Sequence, residues 1–128
     1  MLKKLPLIGI LGAIGVSLGA LGAHFIKNKI TPDLFHGYET AVSYHIYHLL
    51  AMLAVVILNQ TYQHKYLKWA FNFFLWGIVC FSGSLYILCT RNLFGAEWLR
   101  FLGPITPIGG ILFIVGWLFL AFSFVKKS

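Results

Sequence analysis

The stretch LFHGYETAVSYHIYHLLAMLAVVIL, residues 34–58, decides the fold. It runs 25 residues with a single formally charged side chain, Glu39, and from Leu49 to Leu58 it is apolar throughout. A helix needs about 20 apolar residues to cross a hydrocarbon layer about 30 Å thick, so this segment is long enough to span a bilayer. Immediately before it, Thr31-Pro32-Asp33 reads as a helix start. Thr serves as the N-cap, Pro occupies the first helical position, and an acid sits in the first turn. Helix from Pro32 to Asn59 would be about 42 Å long at about 1.5 Å per residue. It must therefore tilt or leave its first two turns in the interface, and Gly37 is the expected bend.

Working outward, three more segments have the same character: about Leu5–Ile26, Trp69–Cys89 and Ile105–Val125. Connections between them are short, which makes sequence neighbours antiparallel. The predicted fold is an all-α integral membrane protein, a four-helix antiparallel bundle forming one transmembrane domain over residues 1–128. Composition agrees. Of 128 residues, 59% are hydrophobic and 10% charged, with mean hydropathy +0.84. Soluble domains carry about 45–50% apolar and about 25% charged residues, so both a soluble globule and a disordered chain are excluded.

A net charge of +7 would suggest nucleic acid in a soluble protein. Here the cations flank the apolar segments, as Lys3-Lys4, Lys27/Lys29, Lys65/Lys68, Arg91/Arg100 and Lys126-Lys127. That pattern suits anchors beside anionic headgroups, and no nucleic-acid partner is expected. With both termini inside, the inner side carries Lys3, Lys4, Lys65, Lys68, Lys126 and Lys127 and the outer side Lys27, Lys29, Arg91 and Arg100, six against four. The expectation is a multi-pass protein of the cytoplasmic membrane with both termini cytoplasmic. The first segment also resembles a signal peptide, with Lys3-Lys4, an apolar stretch and Ala20-Leu21-Gly22; it is read here as a retained span. Cys80 and Cys89 lie nine residues apart, about 13 Å of rise on a regular helix, too far to pair with each other.

Four motifs recur along the chain: Gly19-Ala20-Leu21-Gly22-Ala23-His24, then Glu39-Thr40-Ala41-Val42-Ser43-Tyr44-His45-Ile46-Tyr47-His48, then Phe81-Ser82-Gly83-Ser84-Leu85-Tyr86, and Thr106-Pro107-Ile108-Gly109-Gly110 followed by Gly116-Trp117. In this order, over nearly the whole chain, the sequence resembles the family called domain of unknown function 423, the YgdD/YwdK-like small membrane proteins related to eukaryotic transmembrane protein 256. The resemblance implies a four-helix bacterial inner-membrane protein and no known reaction, substrate or cofactor. Position 45 departs from the family, which usually has Gln there.

Small residues mark helix contacts. Gly15, Gly19 and Ala23 repeat at spacing four on the first helix, with Gly12 and Gly22 beside them, and Gly83, Gly109 and Gly110 suggest close approaches later. The stripe suits packing inside the bundle, a homodimer face or a glycine-lined cavity. Polar residues within apolar segments are the candidates for function, because each is costly in lipid. They are His24, Glu39, Tyr44, His45, His48, Ser84, Tyr86 and Thr106. In the expected topology all fall in the outer half, as one polar cluster facing the extracytoplasmic side. His45 and His48 stand about 60° apart on a regular helix and could converge on one ligand. Glu39 is about 180° from His48 and is expected to pair with His24, Arg91 or Arg100.

Structural hydrogen bonding accounts for each of these residues as well as ligand binding does. Two His and one carboxylate could hold a transition metal and paired His could ligate haem, yet the spacing matches no metal motif. No metal or catalytic residue is assigned, and a cofactor is left undetermined. Thr106-Pro107 before Gly109-Gly110 reads as a first helical turn that tolerates Pro, or as irregular backbone lining a cavity. Three functions remain open. The first is a non-enzymatic accessory or binding protein, in contact with lipid and with a second copy or another membrane protein. The second is a small-solute, ion or proton transporter working as an oligomer. The third is a membrane enzyme or cofactor protein using His and Glu.

Overall fold

A computed structural model describes residues 1–126; Lys127, counted above among the inner cations, lies outside the described residues, as does Ser128. The described chain is helical, with four stretches long and apolar enough to cross a membrane: Leu2–Ile26, Pro32–Tyr62, Lys65–Phe94 and Glu97–Phe122. We name the α-helices α1 (Leu5–Leu21), α2 (Pro32–Tyr62), α3 (Lys65–Gly77), α4 (Ser84–Thr90) and α5 (Ile105–Phe122).

Helix α2 starts where its sequence dictates. The Thr31 hydroxyl accepts from the Leu34 amide at 3.3 Å, Pro32 occupies N1, and Asp33 lies in the first turn. It ends at Gln63, whose φ of 46° is left-handed, and the His64 ring caps α3 by accepting from the Tyr66 amide at 3.1 Å. Two residues thus turn the chain, and α3 runs back along α2. Helix α2 runs unbroken through Gly37. A Cβ there would lie 2.7 Å from Cys89 Sγ, so close approach is what this glycine provides.

The third span is not one regular helix. Ile78–Gly83 forms a π-helical segment between α3 and α4, and Gly22–Ile26 forms a second one after α1. Such segments are rare and insert extra residues into the helical register. Helix α5 begins with Pro104 as N-cap and Pro107 in its first turn, where a missing amide costs nothing.

Packing is layered. Helices α2 and α3 form the centre; α1 lies on α2, and α5 lies on α3 and the Ile78–Gly83 segment. The core holds Met52, Val55 and Val56 of α2 against Leu67, Ala70, Phe71 and Phe74 of α3, all fully buried. Helix α1 seats its glycines on α2: Cβ atoms at Gly12, Gly15 and Gly19 would meet Leu49, Ile46 with His45, and Val42. At Gly22 a Cβ would overlap the Tyr38 ring. The glycine stripe is therefore an internal α1–α2 contact, and only Ala23 on it is exposed. On α5, Gly109 rests on the Phe81 backbone and Gly116 against Phe74, while Gly77 of α3 accepts the Phe113 ring. Gly83 faces no other helix closely: its nearest atom is the Ile78 carbonyl at 3.9 Å. Two lysines at the end that carries the termini lie over aromatic faces, Lys4 on Phe71 at 4.5 Å and Lys65 on Tyr66 at 5.3 Å. These contacts suit cations with apolar stems at a membrane interface.

Candidate functional site

The eight polar candidates do not form one cluster. Five of them, His45, His48, Ser84, Tyr86 and Thr106, take part in three separate hydrogen-bonded crossings between helices, while Tyr44, His24 and Glu39 place no side-chain hydrogen bond in these crossings.

The first crossing is at His45 on α2. Its Nε2 lies 2.9 Å from the Leu11 carbonyl of α1, and its Nδ1 lies 2.9 Å from the Tyr86 hydroxyl of α4. A carbonyl only accepts. Nε2 therefore carries the proton and Nδ1 receives the Tyr86 O–H. One side chain thereby joins three helices. The Tyr86 ring meets Tyr38 edge-on at 5.6 Å, and the Tyr38 hydroxyl donates to the Leu18 carbonyl at 2.5 Å.

The second crossing uses the register shift of the π-helical segment. Ser82 donates to the Ala41 carbonyl of α2 at 2.7 Å and is fully buried. Ser84 lies 2.5 Å from the Thr106 hydroxyl of α5 and 3.0 Å from the Phe81 carbonyl. Ser84 donating to that carbonyl leaves its oxygen to accept from Thr106.

The third crossing is at His48. Its Nδ1–H donates to the Tyr44 carbonyl at 2.8 Å, so Nε2 is the free acceptor, and the Trp117 indole N–H fills it at 3.2 Å. The His48 ring stacks on Phe113 with centroids 3.6 Å apart and planes 11° apart. His45 and His48 thus share a helix but face different neighbours, His45 towards α1 and α4 and His48 towards α5. Their ring nitrogens share no partner. They also hold opposite tautomers, each set by the carbonyl its ring meets.

His24 and Glu39 are both exposed. Glu39 lines a shallow notch of about 190 Å³ with Gly19, Gly22, Ala23 and Ser43. The expected ion pair is not formed: among the described residues the salt bridge is Arg91–Glu97, at 3.4 Å. Among the described residues, no three His, Cys, Asp or Glu side chains converge as a metal site. Cys80 and Cys89 are free thiols.

An opening lies between α2 and α5. These two helices meet mainly through aromatic side chains, which leaves a lateral groove of about 630 Å³. Tyr44, Tyr47 and His48 form one wall, and Gly110, Ile111, Ile114 and Trp117 the other. Phe81 supports the Tyr44 ring from behind at 4.9 Å. Of the sequence candidates, Tyr44, His48 and Gly110 belong to this groove. Tyr47, Phe113 and Trp117 belong to it without having been candidates. Tyr47 carried a readable signal, since it follows Tyr44 by three residues on one helix face. Trp117 carried none, because an interfacial tryptophan and one turned inward look alike in sequence.

A family profile described as "Protein of unknown function (DUF423)" matches residues 18–110. The chain belongs to this family. It is 40% identical over 126 residues to UPF0382 membrane protein SSP2132 of Staphylococcus saprophyticus, covering 98% of this chain and 99% of that one. It is 38% identical to UPF0382 membrane protein YwdK of Bacillus subtilis, covering 91% and 94%. A relative in Schizosaccharomyces pombe, UPF0382 membrane protein C1782.12c, is 36% identical over 107 residues, covering 83% and 87%. No solved structure matches. The matched family region contains Tyr44, His45, His48, Ser82, Ser84, Tyr86 and Thr106 and ends at Gly110, ahead of Phe113 and Trp117. The relatives are named as membrane proteins, and the four apolar helices are those of a membrane protein of unknown activity.

Proposed function

We propose that this chain is a multi-pass protein of the bacterial cytoplasmic membrane that works by binding, as an accessory or ligand-binding component, and that the α2–α5 groove is its working surface. One observation carries the reading. His45, His48, Ser82, Ser84, Tyr86 and Thr106 are each occupied in a crossing between helices, whereas the groove stands open with two tyrosines along its wall. Side chains used this way act as interhelical glue in lipid. From Leu49 to Leu58 the interior is apolar, which supports binding over passage of an ion.

The orientation proposed places both termini in the cytoplasm, from the six-to-four basic asymmetry of the sequence. The crossings of His45 and Ser84 then fall in the half nearer the outside.

Two experiments test these statements. Cysteines replacing Asn28 and Asn92, both exposed, should react with a membrane-impermeant maleimide added outside cells, and a cysteine replacing Thr61 should not; the reverse pattern overturns the orientation. Liposomes containing the chain should leak protons no faster than empty ones. A proton flux abolished by His48→Ala would replace binding by transport.

A further inference from the structure

The groove has a chemical feature that a lipid tail does not answer. Tyr47 has fifteen residues of α2 on either side of it, so it stands at the middle of the longest helix. At about 1.5 Å per residue, either end of α2 is about 22 Å away. The α5 residues across the groove, Phe113 and Ile114, are the central pair of that helix. The opening therefore lies at mid-depth of the bundle, where surrounding lipid is hydrocarbon. Tyr47 is 60% exposed and Tyr44 40%. The hydrogen bonds at the groove run from His48 to the Tyr44 carbonyl and from Trp117 to His48; neither tyrosine hydroxyl has a partner among the described residues. A phenol held in hydrocarbon without an acceptor is unfavourable. Acyl chains offer none at this depth.

The shape narrows the occupant. The groove extends along α5 from Pro107 to Trp117, about 15 Å at about 1.5 Å per residue. A membrane-crossing helix is about 30 Å long, about twice that length. A volume of about 630 Å³ sits within the range of about 300–1,000 Å³ usual for small-molecule sites. The exposed lining sets the rings of Tyr44, Tyr47 and Trp117 beside the aliphatic side chains of Ile111 and Ile114, and the rings favour offset or edge contacts with another flat ring.

We propose that the α2–α5 groove binds a lipid-soluble molecule built on a planar ring that carries a carbonyl oxygen, a compound of the quinone or ring-ketone class. Its ring lies among Tyr44, Tyr47 and Trp117, and its oxygen accepts from the Tyr47 hydroxyl. No electron transfer is involved. The proposal rests on the groove being the working surface and adds the class of ligand.

The test uses the full chain in phosphatidylcholine nanodiscs, titrated with 2-decyl-1,4-benzoquinone and, as a control lacking the oxygens, decylbenzene. Native mass spectrometry reads the bound adduct, and the thermal midpoint reads stabilisation. The quinone should bind saturably at one per chain and about tenfold more tightly than decylbenzene. Tyr47→Phe removes only the hydroxyl of an exposed ring and should erase that preference without lowering the ligand-free midpoint. Gly110→Leu should block both compounds. A Cβ at Gly110 has its nearest neighbour, Phe81 Cδ2, at 3.9 Å, so the larger side chain grows into the groove. Equal binding of the two compounds, or a quinone preference that survives Tyr47→Phe, overturns the ligand class. A disulfide-linked dimer of Ile111→Cys, on the exposed far wall, that excludes the quinone overturns it in favour of a second copy. If a molecule retained from the cell membrane is lost in Gly110→Leu while no quinone binds, the ligand class fails and the groove's role stands. If Gly110→Leu changes no bound species at all, both fail.

Discussion

Gly109 and Gly110 are adjacent on α5, chemically identical, and should respond oppositely to one added methyl group. A Cβ at Gly109 would lie 2.7 Å from Phe81 Cα and closer still to the Phe81 amide nitrogen. These are backbone atoms of the π-helical segment and cannot rotate away. Restoring ordinary contact at 3.4 Å to both atoms moves α5 away from that segment by more than 0.7 Å, and the Ser84–Thr106 bond of 2.5 Å spans the same interface. Overpacking a tight contact costs about 1–3 kcal/mol. The rigid partner puts Gly109→Ala at the upper end, about 3 kcal/mol, including strain on that hydrogen bond. At Gly110 the new methyl meets only Phe81 Cδ2 at 3.9 Å, and replacing Gly by Ala in a helix gains about 0.5–1 kcal/mol. Reversible unfolding in mixed micelles, followed by tryptophan fluorescence, should separate the two variants by about 3–4 kcal/mol on these same terms. A separation below about 0.5 kcal/mol, the scatter of an ordinary surface substitution, would refute the close approach of α5 to the π-helical segment.

Other consequences follow from the same contacts. The ¹⁵N shifts of the histidine rings should report the proton of His45 on Nε2 and that of His48 on Nδ1; the same tautomer at both would contradict the crossings. Trp117→Phe leaves His48 Nε2 without its donor and should cost about 1–3 kcal/mol, whereas Trp76→Phe, on an exposed indole, should change the unfolding free energy by less than about 0.5 kcal/mol. A cysteine pair replacing Gly19 and Val42 should oxidise within one chain, giving a monomer on non-reducing electrophoresis; a covalent dimer would return the glycine stripe to an intermolecular role. Ser82→Ala removes one donor to the Ala41 carbonyl and should cost about 0.6 kcal/mol, the average for such bonds in a membrane bundle; no measurable loss would mean that the register shift serves another contact.

Much of the architecture was legible before any coordinates. Apolar length sets the number of spans, since a bilayer demands a minimum run of hydrocarbon. Thr31-Pro32-Asp33 set the start of α2, because cap chemistry is local. The spacing of Gly15, Gly19 and Ala23 showed that α1 has a close-packing face. The partner of that face was not legible, since spacing describes one helix only. The two π-helical segments carry no compositional mark; their widened turns bring Ser82 to the Ala41 carbonyl and Ser84 to Thr106, partners on other helices. Angular arithmetic on an ideal helix placed His45 and His48 near each other, and the 60° between them proved enough to give each a different neighbour. Glu39 and His24, expected to pair across helices, face outwards instead.

The sequence by itself determined a membrane protein of four antiparallel helices, because hydropathy, caps and loop lengths act within a few residues of where they are written. Tertiary structure alone decided that the polar residues separate into three crossings, that the glycine stripe is spent on α2, and that an aromatic groove opens between α2 and α5. Those outcomes depend on which faces of different helices meet, and that is set by the rotation and offset of whole helices against one another.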